Sequence, residues 1–211
     1  FWFLGFSYLL ITTSLPRFFK FSFFILGFLG LIQAFIGWWM VKSGLNNETN
    51  LLDVASYRLA IHLNLALLIT SLIFILLKFN YYFSNIGSLS FSFSRFSFER
   101  FKISLFILFL FFQITLGALV SGIDAGKSYN EWPLMNNSFV PEDYLNLEPE
   151  YLNFIDNPAT VQFNHRIMGY FLFLFGLYIW AKGSFKINQI KSLKKDYNLL
   201  FLLLILQVLV G

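Results

Sequence analysis

Apolar residues run without alternation through four stretches of the chain, Phe21–Val41, Tyr57–Leu77, Lys102–Gly122 and Asn164–Ala181, and polar residues gather between them. A hydrocarbon core about 30 Å thick takes roughly 20 residues of α-helix to cross. Backbone groups in lipid must be satisfied inside the segment or in a closed barrel. Barrel strands would alternate over about ten residues, whereas these runs are apolar on every face and about twice that length. The pattern therefore predicts four spanning helices. Two further apolar runs, Phe1–Thr13 and Tyr197–Gly211, fall short of a span and read as partial helices, which makes six helices and an internal piece of a longer membrane protein. The segment Asn80–Phe98, rich in Phe, Ser and Asn, reads as a low-complexity linker skimming the membrane.

Composition agrees with this pattern. Of 211 residues, 57% are hydrophobic and only 12% charged. Soluble domains carry about 25% charged residues, so a water-soluble globule is excluded. Disorder is excluded too, because it needs low hydrophobicity. With no cysteine there is no disulfide, thiolate ligand or Cys nucleophile.

Charge alternates from loop to loop. The first loop holds Arg17 and Lys20, the third Lys78, Arg95, Arg100 and Lys102 against Glu99, and the fifth Lys182, Lys186, Lys191, Lys194 and Lys195 against Asp196. The second has Lys42 against Glu48 and Asp53. The fourth, Ile123 to Phe163, has Lys127 against Asp124, Glu131, Glu142, Asp143, Glu148, Glu150 and Asp156. Basic loops face the cytoplasm or matrix, which puts loops two and four outside. The net charge of +4 is then an orientation signal and not a nucleic-acid footprint.

Only two histidines occur, His62 and His165. Ser56 or Asp53 can cap the helix of His62, and Asn157-Pro158 is a start signal for the helix of His165. His62 then lies about 9 Å and His165 about 10 Å from the start of its helix, at 1.5 Å per residue. Both enter from the same, outer, side. Arg58 precedes His62 by one turn on the same face. Gln162 and Arg166 flank His165, and a metal-bound imidazole usually needs its other N–H held by a partner. The plain alternative is an interfacial histidine beside an arginine that snorkels to the headgroups. Two matched pairs in a chain with no other histidine weigh against it, since ionisable residues inside a membrane are rare and functional. With no Cys and no paired carboxylates in the spans, haem ligation suits these imidazoles best. A proton relay competes. On the chain alone, one haem bridged between the two is the economical reading.

A Gln-x-x-x-Gly pattern recurs at Gln33/Gly37, Gln113/Gly117 and Gln207/Gly211, a spacing that also serves helix packing through small residues. Read as a repeat of a longer unit, it places one further histidine before Phe1 and another beyond Gly211. His62 and His165 then belong to two sites rather than one.

The stretches Gly37–Leu45, Ser56–Leu63, Gly117–Gly126 continuing through Tyr129-Asn130 to Pro133-Leu134-Met135, and Asn157-Pro158 with Val161–Arg166 resemble, in order, the haem A synthase family in its mitochondrial and alphaproteobacterial branch. The resemblance implies an all-α membrane protein of eight helices in two pseudo-repeated four-helix halves. Residues 1–101 would be the remainder of the N-terminal half with its linker, and 102–211 the start of the C-terminal half. It implies oxidation of a haem O methyl group to the formyl group of haem A, for cytochrome c oxidase assembly. His62 and His165 would ligate haem b iron, one in each half, with Arg58 and Arg166 as propionate partners and Gln162 beside the cofactor. The catalytic acid–base group is not assigned. Implied partners are haem O as substrate, membrane lipid, an electron donor, haem O synthase and a second copy of the chain. The setting is a mitochondrial inner membrane or a bacterial plasma membrane, with both histidines toward the outer face. Since each ligand pair is half present, residues 1–211 alone are expected to be inactive. Two other readings stand beside this one: a b-type cytochrome that only moves electrons, and a cofactor-free transporter or assembly factor.

Overall fold

The computed structural model describes residues 2–45, 54–86, 98–186 and 191–210. They contain six α-helices: α1 (Trp2–Thr12), α2 (Arg17–Gly44), α3 (Ser56–Ile86), α4 (Phe98–Gly122), α5 (Pro158–Lys186) and α6 (Lys191–Val210). Among the described residues there is no strand, only an isolated bridge between Met135 and Ser138. Four segments, Arg17–Gly44, Ser56–Tyr81, Arg100–Gly122 and Pro158–Ser184, are long and apolar enough to cross a membrane. Each contains one of the expected spans, and the protein is an all-α integral membrane protein.

The helix starts follow local chemistry. α3 begins at Ser56, so the cap position falls to Ala55, whose carbonyl accepts the Leu59 N–H at 3.1 Å, and not to Ser56 as expected; Asp53 lies outside the described residues. α5 begins at Pro158, earlier than the apolar run suggests, because Asn157 caps it. The Asn157 side-chain oxygen accepts the Thr160 N–H at 3.1 Å, and Pro158 sits where no N–H is needed. α3 runs on to Ile86, so the first part of the expected linker is helical, and residues 87–97 lie outside the described residues.

The chain forms two compact units, Phe1–Phe93 and Ser94–Gly211. In the first, α2 packs against α3 and α1 against α2. Phe21, Phe24, Phe28, Leu31, Phe35 and Trp38 are exposed along α2 at alternating steps of three and four, which makes one stripe for lipid. An apolar cavity of about 880 Å³ is lined by Trp2, Phe19, Phe23, Leu31, Ile69 and Asn80, among others, and neither His62 nor Gln33 is part of its lining.

In the second unit α4 packs against α5 and α5 against α6. Phe106, Leu172 and Ile179 form its buried core, with Phe109, Phe175 and Leu204 packed around them. The acidic segment between α4 and α5 is ordered rather than merely solvated. It carries short 3-10 turns at Ala125–Lys127 and Glu150–Phe154, and its own cluster of Tyr129, Met135 and Ala159. Asn157 is nearly sealed from solvent, and its Nδ2 lies 2.9 Å from the Asp143 carbonyl and from the Asn146 and Asn153 side-chain oxygens.

Removing that side chain strips a helix cap, worth about 1 kcal/mol, and leaves buried acceptors unpaired, worth about 1–3 kcal/mol. Asn157→Ala is therefore expected to lower stability by about 2–4 kcal/mol and to expose residues 129–156 to protease first. Proteolysis and melting in detergent at wild-type values would contradict this.

Candidate functional site

Each histidine is built into a helix hairpin by the Gln-x-x-x-Gly pattern of the helix before it. In the first hairpin Gln33 Nε2 donates to the His62 carbonyl at 3.1 Å and lies 3.2 Å from both ring nitrogens of His62. One turn along α2, a Cβ added at Gly37 would lie 2.9 Å from His62 Cε1. In the second hairpin Gln113 Nε2 donates to the His165 carbonyl at 3.1 Å and lies 3.4 Å from the ring Nε2. A Cβ at Gly117 would lie 3.0 Å from His165 Cε1. The physical logic is the same in both. The glutamine holds the histidine by backbone and ring, and the glycine leaves the ring room against the neighbouring helix.

The sequence singles out the histidines and the repeat but not their pairing. The readable signal was that a Gln-x-x-x-Gly helix precedes each histidine helix. For the third pair, Gln207 lies on α6 and Gly211 lies outside the described residues.

The arginines bind backbone carbonyls beside each histidine. Arg58 donates from Nη1 to the Trp39 carbonyl at 2.8 Å and from Nε to the Tyr57 hydroxyl at 3.1 Å, with its guanidinium 4.4 Å from the Trp39 ring centre. Trp39 thus stacks on a cation. Arg166 gathers three carbonyls of the outer segment: Glu131 at 2.9 Å, Leu134 at 3.2 Å and Tyr129 at 2.7 Å. Gln162 does not meet the His165 ring. It is buried, and its Nε2 donates to the same Tyr129 carbonyl at 2.9 Å. Arg166 and Gln162 therefore fasten the outer segment down beside His165. Trp132 is exposed and donates to the Tyr170 hydroxyl at 2.9 Å.

Tyr129 is buried, and its hydroxyl donates to Asp143 at 3.3 Å. Burial first, and then the Asp143 charge, push its phenol above its ordinary value. Among the described residues no three His, Cys, Asp or Glu side chains converge as a metal cage.

Two tests follow. A Cβ at Gly30, on the same helix as Gly37, meets nothing within 4 Å. Gly30→Ala is expected to be neutral or to stabilise by up to about 1 kcal/mol, whereas Gly37→Ala and Gly117→Ala should destabilise by about 1–3 kcal/mol through overpacking. Unfolding in micelles measures this, and equal effects at all three positions would count against the histidine seat. For Tyr129 the folded pKa is raised, so its contribution is complete below the unfolded value of about 10 and is lost as pH rises through the folded value. Protease resistance of residues 129–156 should stay level from pH 7 to 9 and fall only at higher pH; a fall within that range would contradict the assignment.

The amino-acid sequence matches known proteins along its length. A family model described as COX15-CtaA, cytochrome oxidase assembly protein, matches residues 1–211. The heme A synthase of Dinoroseobacter shibae is 43% identical over 187 residues, covering 86% of this chain and 47% of the relative. That of Ruegeria sp. is 40% identical over 216 residues, covering 100% of this chain and 54% of the relative. That of Allorhizobium ampelinum is 46% identical over 150 residues, covering 71% and 39% respectively. The chain thus spans about half the length of the curated relatives it matches. No solved structure gives a significant match. With the family model matching from the first residue to the last and relatives this similar, the chain belongs to the COX15-CtaA family of cytochrome oxidase assembly proteins.

Proposed function

We propose that this chain forms part of a haem A synthase, which oxidises a methyl group of haem O to the formyl group of haem A, and that His62 and His165 ligate haem iron in two separate sites. The observation that carries the reading is the duplicated seat. Two hairpins hold an imidazole by the same Gln and Gly contacts, and relatives 40–46% identical bear the name heme A synthase. An imidazole with no other metal-ligating side chain around it suits an iron whose equatorial positions a porphyrin fills. His165 Nδ1 is buried without a hydrogen-bond partner among the described residues, which fits a ring kept for a ligand that is not protein.

When bound, the haem supplies the electron transfer and oxygen chemistry. The chain's own residues bind, orient and exclude water. His62 and His165 offer ring nitrogens from rigid helices. Arg58 and Arg166 sit at the outer end of each seat, at the level of a porphyrin's propionates. Arg58 has more of its five N–H donors left for a carboxylate, whereas Arg166 is committed to three carbonyls. Gln162 and Arg166 hold the acidic outer segment over the His165 hairpin, where it keeps water from the site. The alternation of loop charge supports placing both histidines toward the outer face of a bacterial plasma membrane or mitochondrial inner membrane. An electron donor, haem O synthase and a second copy of the chain are the proposed partners.

In the full-length protein, His62→Ala and His165→Ala should each lower haem content and abolish or strongly reduce conversion of haem O to haem A. The Soret absorbance of purified protein and product analysis measure the two effects. Unchanged haem and activity in both variants would falsify the ligand assignment. Haem binding without conversion would favour a b-type cytochrome, and no Soret band at all would favour a cofactor-free transporter or assembly factor.

A further inference from the structure

The face of α3 that carries His62 continues beyond the imidazole. Ile69, Ile73, Leu76 and Asn80 follow His62 at steps of seven, four, three and four, which keeps them on one side of the helix. On α2, Leu26 and Phe19 continue the face of Gln33 at steps of seven. All six of these continuing residues line the apolar cavity of about 880 Å³, a volume in the range of small-ligand pockets, about 300–1,000 Å³. Its near end at Ile69 is about 10 Å along α3 from His62, and its far end at Asn80 about 27 Å, at 1.5 Å per residue. Arg58 lies one turn from His62 in the opposite direction.

Two glycines shape the space. The Trp2 ring lies where a Gly27 side chain would be, so α1 closes against α2 there. A Cβ at Gly30 meets nothing within 4 Å, and Gly30 lines the cavity, so a side chain at this position has open volume before it. The second hairpin is filled at the matching positions. Seven residues before Gln113 stands Phe106, and seven and fourteen after His165 stand Leu172 and Ile179. These three are the buried core of their unit, with Leu204 of α6 packed against them. Their counterparts Leu26, Ile69 and Leu76 line a cavity instead.

We propose that this cavity seats the farnesyl chain of haem O when His62 holds the ring, and that Gly30 keeps the space for it. This rests on the reading of His62 as a haem ligand. Haem O is charged at one edge and apolar at another. Its propionates call for a cation, and its farnesyl chain, three isoprene units long, calls for an extended apolar slot. The first unit offers the two on opposite sides of the imidazole, Arg58 one way along α3 and the cavity the other. Lipid is as apolar as the cavity wall, so the chain gains little from apolarity alone. What the cavity adds is shape. A seated chain fixes how the ring is turned, and hence which of its methyl groups is presented for oxidation.

The test titrates the full-length protein, freed of haem and held in lipid nanodiscs, with haem O and with haem B. Haem B has the same propionates and a vinyl group in place of the farnesyl chain. The binding lost in His62→Ala defines the first seat. Gly30→Leu and Ile73→Trp fill the cavity from its two walls. Each should weaken haem O at that seat about 10–100-fold and leave haem B unchanged, which also shows that the variant is folded. Unchanged haem O affinity in both variants overturns the proposal, and is the result expected if lipid or a further helix fills the space. An equal loss of both haems overturns it too, since a general defect of the seat would give that. If His62→Ala loses no haem O, the ligand reading falls and the proposal with it. If His62→Ala loses haem O and the cavity variants do not, the ligand reading stands and the seat for the chain alone falls.

Discussion

A hydrocarbon interior supplies no hydrogen bonds, so an amide on a spanning helix must find its partners on the helix beside it. In each hairpin a glutamine NH₂ reaches across to the carbonyl of a histidine and to the ring of that same residue. Much else in the two hairpins follows from this contact. The glycine one turn further on has to lack a side chain, because the held ring lies where its Cβ would be. The two helices have to approach closely there, and an apolar face alone would not fix their register. A polar pair in lipid specifies which turn of one helix meets which turn of the other.

Outside the spans the same accounting is met by side chains binding backbone. The segment between α4 and α5 has little regular structure, and its carbonyls need donors. Arg166, Gln162, Asn153 and Asn157 supply them. Arg166 and Gln162 stand within three residues of His165 on α5, so the groups that order the outer segment are attached to the helix that carries the imidazole. Stability of the segment and geometry of the site are thereby linked, and damage to one is transmitted to the other.

His62 and His165 were readable because they are rare: an ionisable ring within a long apolar run has few reasons to be there. Asn157 and Pro158 were readable because a cap and a fixed φ are local chemistry. Gln162 shows the limit. Its spacing from His165 suggested a partner for the ring, yet it turns to the Tyr129 carbonyl, and Gln113, 52 residues earlier, takes the ring instead. Spacing along one helix says which residues share a face, not what lies opposite. Arg166 is similar: its three carbonyl acceptors come from a segment whose path no periodicity encodes.

By itself the sequence determined where the helices lie and that four of them are long and apolar enough to cross a membrane, because hydrophobic length and capping chemistry act over a few neighbouring residues. It also determined that two imidazoles would stand within those helices. Only the tertiary structure decided that Gln33 and Gln113 hold them, that Gly37 and Gly117 make their room, and that Arg166 and Gln162 hold down the outer segment. Those contacts join residues 25 and more positions apart, and the helix that faces another is set by packing and by satisfying buried polar groups, which no local pattern records.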